Sequence, residues 1–428
     1  MKRILAIVFT GVSLVAAAQP EITDLEVSQN SSRMVTISFS LSANAIVTMD
    51  ITTNGVSIGA ENYQTLRDPY STKDTFPANK AVKAGKHTWV WRPSKEWPGH
   101  HFHNSEFKVL VQAWSFDSPP DYMVIDSSVR SNAMFYAKVE DIPGGIKTAD
   151  PEDADAVAAL KEDPYRTTKL VMRKIPAAGV KWRMGSPEDE PDRQEHETPH
   201  YVTLTNDYYV AIYPTTFTQV KKFCYSGEAT SFYPKHNTKY TAIRGTTYSW
   251  PADGYLTEGF MATMRTRTGL RFDLLTEAEW EYACRAGTQG RWNHDGDSPD
   301  EVAWTDYQGK AKSHTVGLKR PNNWGLYDMH GLVNEWVLDQ WGAYPTESVV
   351  APVGPTPTTE TIYRVVRGGP KAVNTGSENN KDYTKSPLIS TRSAFRTSLE
   401  QESRTDGNSN GYGFRFSCPA SLPEWMRD

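Results

Sequence analysis

A chain of 428 residues is too long for one ordinary hydrophobic core, so two domains are the first expectation. Hydrophobic residues make up 38% and charged residues 23%, which suits a soluble globular protein and excludes a disordered chain. The formal net charge of -5 is spread along the chain without a basic block, so nucleic acid is excluded as an expected partner.

In chain order, residues 1–18 read as a signal peptide. Lys2 and Arg3 precede an apolar run from Ile4 to Val15 that is too short to remain as an anchor, and Ala16, Ala17 and Ala18 offer a cleavage site near Ala18. No cysteine stands at the cleavage point, so no membrane anchor is expected, and the mature protein is expected to be exported to the periplasm or outside the cell. Residues 19–140 read as an all-β sandwich of immunoglobulin or fibronectin type III shape. Met34–Leu41 and Ala45–Ile51 alternate apolar and polar residues, and His87–Trp91 and Phe107–Trp114 supply further strands. His100, His101 and His103 are expected to be a solvated loop and not a metal site, for want of a partner at a telling spacing. Residues 141–164, rich in acidic and turn residues, read as a linker with one short helix at Ala156–Lys161.

A second domain is expected over 165–420, with a tail at 421–428. His196-Glu197-Thr198-Pro199-His200 matches a zinc-protease pattern in letters only. That chemistry needs both histidines on one helix face, and Pro199 forbids the helix. Thr276 through Gly287 reads as a helix with a Thr276–Glu279 capping box, ended by Gly287, with Cys284 on its buried face. The 3 cysteines, Cys224, Cys284 and Cys418, are too far apart for a CxxC site and too few for a disulfide framework. The stretch from Trp324 to Trp336 is the most distinctive. Read from spacing alone, Asp328 and Glu335 suit either a turn opener and a surface ion pair, or two oxygen ligands of a hard cation such as Ca2+ around Gly331.

Several ordered motifs carry a family resemblance over roughly Tyr165 to Pro419. They are Trp182–Ser186, Glu197–Leu204, Thr276–Thr288, Pro321–Gly331, Glu335-Trp336, Arg364–Gly369, Arg392–Arg396 and Gly413-Phe414-Arg415. In this order they resemble the formylglycine-generating enzyme, or sulfatase-modifying factor, domain family. The resemblance implies an α+β, C-type-lectin-like fold with little regular secondary structure.

It also implies a structural calcium ion held by the side chain of Asp328, the carbonyls of Gly331 and Val333, and the carboxylate of Glu335. A second calcium loop would fall around Ala303 to Thr315, with ligands that cannot be placed. The family's oxidases turn a sulfatase cysteine into formylglycine with copper held by two cysteines, and the matching positions here are about Val373 and Glu378. A cuprous ion needs thiolates, so copper is not expected. Cys284 matches a family cysteine whose disulfide partner falls at Ser393. The family's iron-dependent sulfoxide synthases need an added helical bundle, which the β-rich N-terminal region does not offer. Asn379-Asn380 and Asn408-Ser409-Asn410 faintly resemble the variable segments of the family's retroelement proteins, and polar surface loops explain them better. The expectation is a non-oxidase binding or scaffold member that recognises a protein or glycan. The alternative is an oxidase acting on sulfatase cysteines, or another oxygenase, through a different site.

Overall fold

The computed structural model describes residues 19–72, 75–99, 107–129, 133–225, 231–246, 250, 256–294, 296, 298–304, 314–356, 361–369, 387–403 and 411–426. The expected cleavage site, the three histidines at 100–103, Val373 and Glu378, the two Asn-rich segments and most of the second calcium loop lie outside the described residues.

The described chain is mostly β with few helices. Its N-terminal part carries β1 (Ile22–Gln29), β2 (Val35–Leu41), β3 (Ala45–Thr53), β4 (Val56–Ser57), β5 (Lys80–Val82), β6 (Gly85–Trp91) and β7 (Phe107–Trp114). One antiparallel sheet runs β1-β2-β6, and a second is built on β3, which pairs with β4, β5 and β7. The alternation read from Val35 to Leu41 is present as burial of every second residue. Both sheets contribute to one hydrophobic cluster, in which Phe39, Trp89 and Trp91 meet Val47, Met49 and Ile51.

The next strands, β8 (Tyr122–Asp126) and β9 (Ala133–Tyr136), precede the expected boundary at 140 but pair elsewhere. They extend an antiparallel sheet whose other members are β10 (Lys169–Ile175) and two later strands. β11 (Lys181–Met184) and β12 (His200–Thr203) instead pair with each other. With β13 (Tyr208–Ala211), and with the last strand of the chain, the order of the larger sheet is Ser417–Pro419, β13, β10, β8, β9. The physical reason lies in β8 itself. Met123 and Ile125 face one core and Val124 the other, so both faces are buried and no alternation betrays the strand. Asn79 ties the two parts together: its carbonyl accepts from Phe135 N–H and its side chain accepts from Met49 N–H.

Residues 141–164 carry a helix at Ala154–Ala159 and pack at both ends. Ile142 and Leu160 are buried, and Asp163 caps Tyr165 N–H and pairs with the buried Arg166. The helix Glu277–Arg285 has the expected reciprocal Thr276–Glu279 box, at 3.2 and 2.8 Å. Its left-handed terminal residue is Ala286 at φ 45°, one position before the expected Gly287. The His196–His200 segment is not helical, and His200 opens β12. Among the described residues no helix is long and apolar enough to cross a membrane.

The remaining strands are β14 (Ala303–Trp304), β15 (His330–Gly331), β16 (Asn334–Gln340), β17 (Val349–Val350), β18 (Tyr363–Arg367), β19 (Thr397–Glu400), β20 (Tyr412–Gly413) and β21 (Ser417–Pro419). The order β19-β18-β16-β20 forms a sheet that carries Glu335 and Asp339 in its centre.

Candidate functional site

The turn between β14 and β16 is held from outside by Asn322. Its Oδ1 accepts from Trp324 and Leu326 N–H, and its Nδ2 donates to the Ala283 and Cys284 carbonyls at the end of the 277–285 helix. Asp328 then adopts φ 55°, and its Oδ2 accepts from Gly317 N–H at 2.6 Å. Gly331 stands at φ 78° against Trp304, whose carbonyl would lie 2.6 Å from any Cβ placed there, so no larger residue fits. Leu332 is also left-handed at φ 66°, and Val333 N–H donates back to the Gly331 carbonyl at 2.8 Å, a γ-turn. β16 follows and brings Glu335 into the core.

The two carboxylates of this turn differ in their surroundings. Asp328 is buried, its Oδ1 has no hydrogen-bond partner, and burial pushes its carboxyl up to about 6 against the pull of Gly317 N–H, Arg415 and Arg166. Glu335 is equally buried, but Arg415 Nε donates to both its oxygens at 2.9 and 3.0 Å, and Trp280 Nε1 donates to Oε2 at 2.9 Å. Burial still holds the Glu335 carboxyl above its ordinary range. The ion pair read from spacing is therefore present, but in the core and not on the surface. Asp328 fits a hard-cation ligand because a buried carboxylate oxygen without a partner is costly. Glu335 is already matched by a guanidinium. Among the described residues no group of three or more His, Cys, Asp or Glu side chains is gathered for a metal. A site built here would rest on two carboxylates and backbone carbonyls.

Cys284 lies where the resemblance puts it, against Ser393 and 3.6 Å from His330 Nε2. Burial pushes the thiol up to about 12 and lowers His330 to about 4, so both are neutral near pH 7. His330 Nδ1 meets the Thr391 carbonyl at 2.6 Å and its Nε2 accepts from Asn293 N–H. This is a packed structural pair without thiolate character. All three described thiols are free, and none neighbours another.

The described arginines Arg367, Arg392 and Arg396 all sit in buried ion pairs. Arg367 meets Glu281, Arg392 meets Glu190 and Glu197, and Arg396 holds Glu277 by two bonds of 2.7 and 2.8 Å. What sequence reasoning missed lies beside this set: a cavity of about 550 Å³ between β16, the 277–285 helix and the segment 342–355. Asp339 and Gln340 line it. The available signal was the acidic Asp339 directly after the apolar run Trp336-Val337-Leu338.

These features define a β-rich domain stitched by buried arginine–carboxylate pairs. Residues 162–418 match the sulfatase-modifying factor enzyme 1-like domain, and the chain belongs to that family. Among sequence relatives, formylglycine-generating enzyme of Mus musculus is 34% identical over 111 residues, covering 22% of this chain and 29% of that one. Serine/threonine-protein kinase pkn1 of Chlamydia pneumoniae is 26% identical over 322 residues, covering 71% of this chain and 48% of its own. The chain thus spans less than half the length of these relatives. Among solved structures, PvdO from Pseudomonas aeruginosa aligns with a TM-score of 0.44 at 24% identity, over 58% of this chain and 94% of that one.

Proposed function

We propose that this chain is an exported, non-oxidase member of the family. In this reading a calcium-stabilised, lectin-like domain recognises a protein or glycan, and an immunoglobulin- or fibronectin-like N-terminal module spaces or docks it. The observation that carries the reading is the thiol inventory. No cysteine lies between Cys284 and Cys418, and Cys284 is a buried neutral thiol. Copper chemistry needs two exposed thiolates, which this arrangement does not provide. The competing reading, an oxidase acting on sulfatase cysteines or another oxygenase through a different site, draws support from the formylglycine-generating enzymes among the relatives. The test is turnover of a Cys-x-Pro-x-Arg peptide by the mature protein with copper and oxygen. No aldehyde is expected, and aldehyde formed above the rate of a heat-denatured control overturns the reading.

The calcium part is tested separately. Asp328 with its unpartnered oxygen is the proposed side-chain ligand, joined by the carbonyls of Gly331 and Val333, with Glu335 shared between Arg415 and the ion. A ligand at a hundred times its Kd stabilises by about 2.7 kcal/mol, so calcium should raise the melting temperature of chelator-treated protein by roughly 5–10 °C. Asp328→Ala should abolish the rise. An unchanged rise in that variant, or none in the wild type, removes calcium from this turn.

A further inference from the structure

The cavity beside β16 is lined by groups of two kinds. Its floor holds Asp339, only 3% exposed, whose Oδ2 accepts from Glu277 N–H at 2.7 Å. Among the described residues that carboxyl has no ion-pair partner. The neighbouring Gln340 also lines the cavity, and its buried Oε1 has no hydrogen-bond partner. The wall is apolar, with Pro345, Val349, Pro352, Val353 and Pro355 facing the floor.

This wall is anchored in place. β17 pairs in parallel with β12, Ala351 N–H donates to the Thr203 carbonyl, and the Val353 carbonyl accepts from Trp250 Nε1 at 2.8 Å. Gly354, at φ 71°, packs closely against the Asp339 side chain, where an added Cβ would come 3.1 Å from Oδ1. Arg396 also borders the cavity, but its guanidinium is matched by Glu277 and stacked on the rings of Trp341 and Tyr344, at 4.4 and 3.9 Å.

A buried carboxyl without an ion-pair partner and an amide oxygen without a hydrogen bond, beside an apolar wall, are complementary to one ligand chemistry. We propose that this cavity binds an alkylammonium group, its hydrocarbon stem along the proline–valine wall and its nitrogen donating to Asp339 and Gln340. The size suits such a ligand, since small-molecule sites typically span about 300–1,000 Å³. Long amines bury their stems against apolar surface in the same manner. The site is separate from the calcium turn and stands whether or not the domain carries oxidase chemistry.

Burial holds the Asp339 carboxyl up to about 8, helped by Glu277 and Glu279 and opposed by Arg396. Arg364, on β18, is a further charged group within electrostatic reach, and the titratable His200, on β12, and Tyr344 also line the cavity. Binding a cation favours the ionised carboxylate, so at pH 7 the complex should release close to one proton per ligand.

The probes are pentylamine and Nα-acetyl-lysine methylamide, each against its uncharged isostere, pentanol or Nα-acetyl-norleucine methylamide, by titration calorimetry on the full chain. A charged hydrogen bond distinguishes these by about tenfold to a hundredfold in Kd. Tighter binding of the lysine mimic points to a peptide side chain as the natural source, and tighter binding of pentylamine to a free amine. Asp339→Asn keeps the acceptor for Glu277 N–H and should lose about tenfold or more in affinity. Gln340→Leu should lose less. Should Asp339→Asn fail to fold, the wild type alone decides, through the ratio of its affinities for each amine and its uncharged isostere. Equal binding of amine and isostere, or tighter binding of Nα-acetyl-glutamate methylamide, overturns the proposal.

Discussion

Arg415→Met should cost about 3–5 kcal/mol of stability, the usual penalty for stripping one partner from a buried ion pair. Arg415 is 1% exposed and lies between β20 and β21. Besides its two bonds to Glu335, it donates Nη1 to the Ala211 and Ile212 carbonyls and Nη2 to the Tyr327 carbonyl, at 3.2, 3.0 and 2.5 Å. It therefore joins β13, the Asp328 turn and β16 at one point. Methionine fills the volume but leaves Glu335 with the Trp280 N–H alone and removes the guanidinium donors from the Ala211, Ile212 and Tyr327 carbonyls, of which Ile212 keeps Tyr327 N–H. For a domain of this size the melting temperature should fall by roughly 6–20 °C. Replacing both partners, Arg415→Met with Glu335→Leu, should recover most of the loss, because desolvation of two charges largely offsets their attraction. A single-variant loss below about 1 kcal/mol in chemical denaturation would show that the pair does not hold the turn. Comparing the loss with and without calcium also reports whether an ion shares Glu335.

The parts of this fold that sequence reasoning reached are those with a local cause. Thr276 and Glu279 are three residues apart, so their box can be read without knowing anything distant. The Val35–Leu41 alternation works for the same reason: one face meets a core and the other does not. The proline in His196–His200 settles its backbone locally as well. The parts that escaped have distant causes. β8 is buried on both faces, so its membership of the later sheet leaves no periodic trace. Glu190 and Glu197 look like surface acids until Arg392, some two hundred residues on, removes them from water. Glu335 is legible as a carboxylate beside Trp336, but its partner Arg415 lies 80 positions away. Ser393 beside Cys284 was reached only through the family resemblance, since nothing near either residue indicates the other. Asp339 escaped because a carboxylate next to Gln340, near the end of a strand, resembles a solvent-facing residue unless the strand is known to be central.

Asp339→Asn should stabilise the protein increasingly as pH rises. Asp339 is held at about 8 in the folded chain, against an ordinary carboxyl value of 3.8. Between these values the folded state binds more protons than the unfolded one, so the contribution of Asp339 to stability falls with rising pH and levels off above about pH 8. The slope is at most ~1.4 kcal/mol per pH unit. Asparagine cannot ionise, and its curve lacks this component. Wild type and variant should melt together near pH 4 and separate by a few kcal/mol by pH 8, with the variant the more stable. The charged groups that set the scale are Glu277 and Glu279 on the 277–285 helix, Arg396 before β19, and Arg364 on β18. Melting curves that stay parallel from pH 4 to 9 would remove the buried charge from the account. A carboxyl that costs stability at neutral pH is what a binding site would retain and a purely structural core would not. Saturating pentylamine should therefore narrow the gap between the two proteins at pH 8, because the bound ammonium stabilises the ionised form that the empty cavity disfavours.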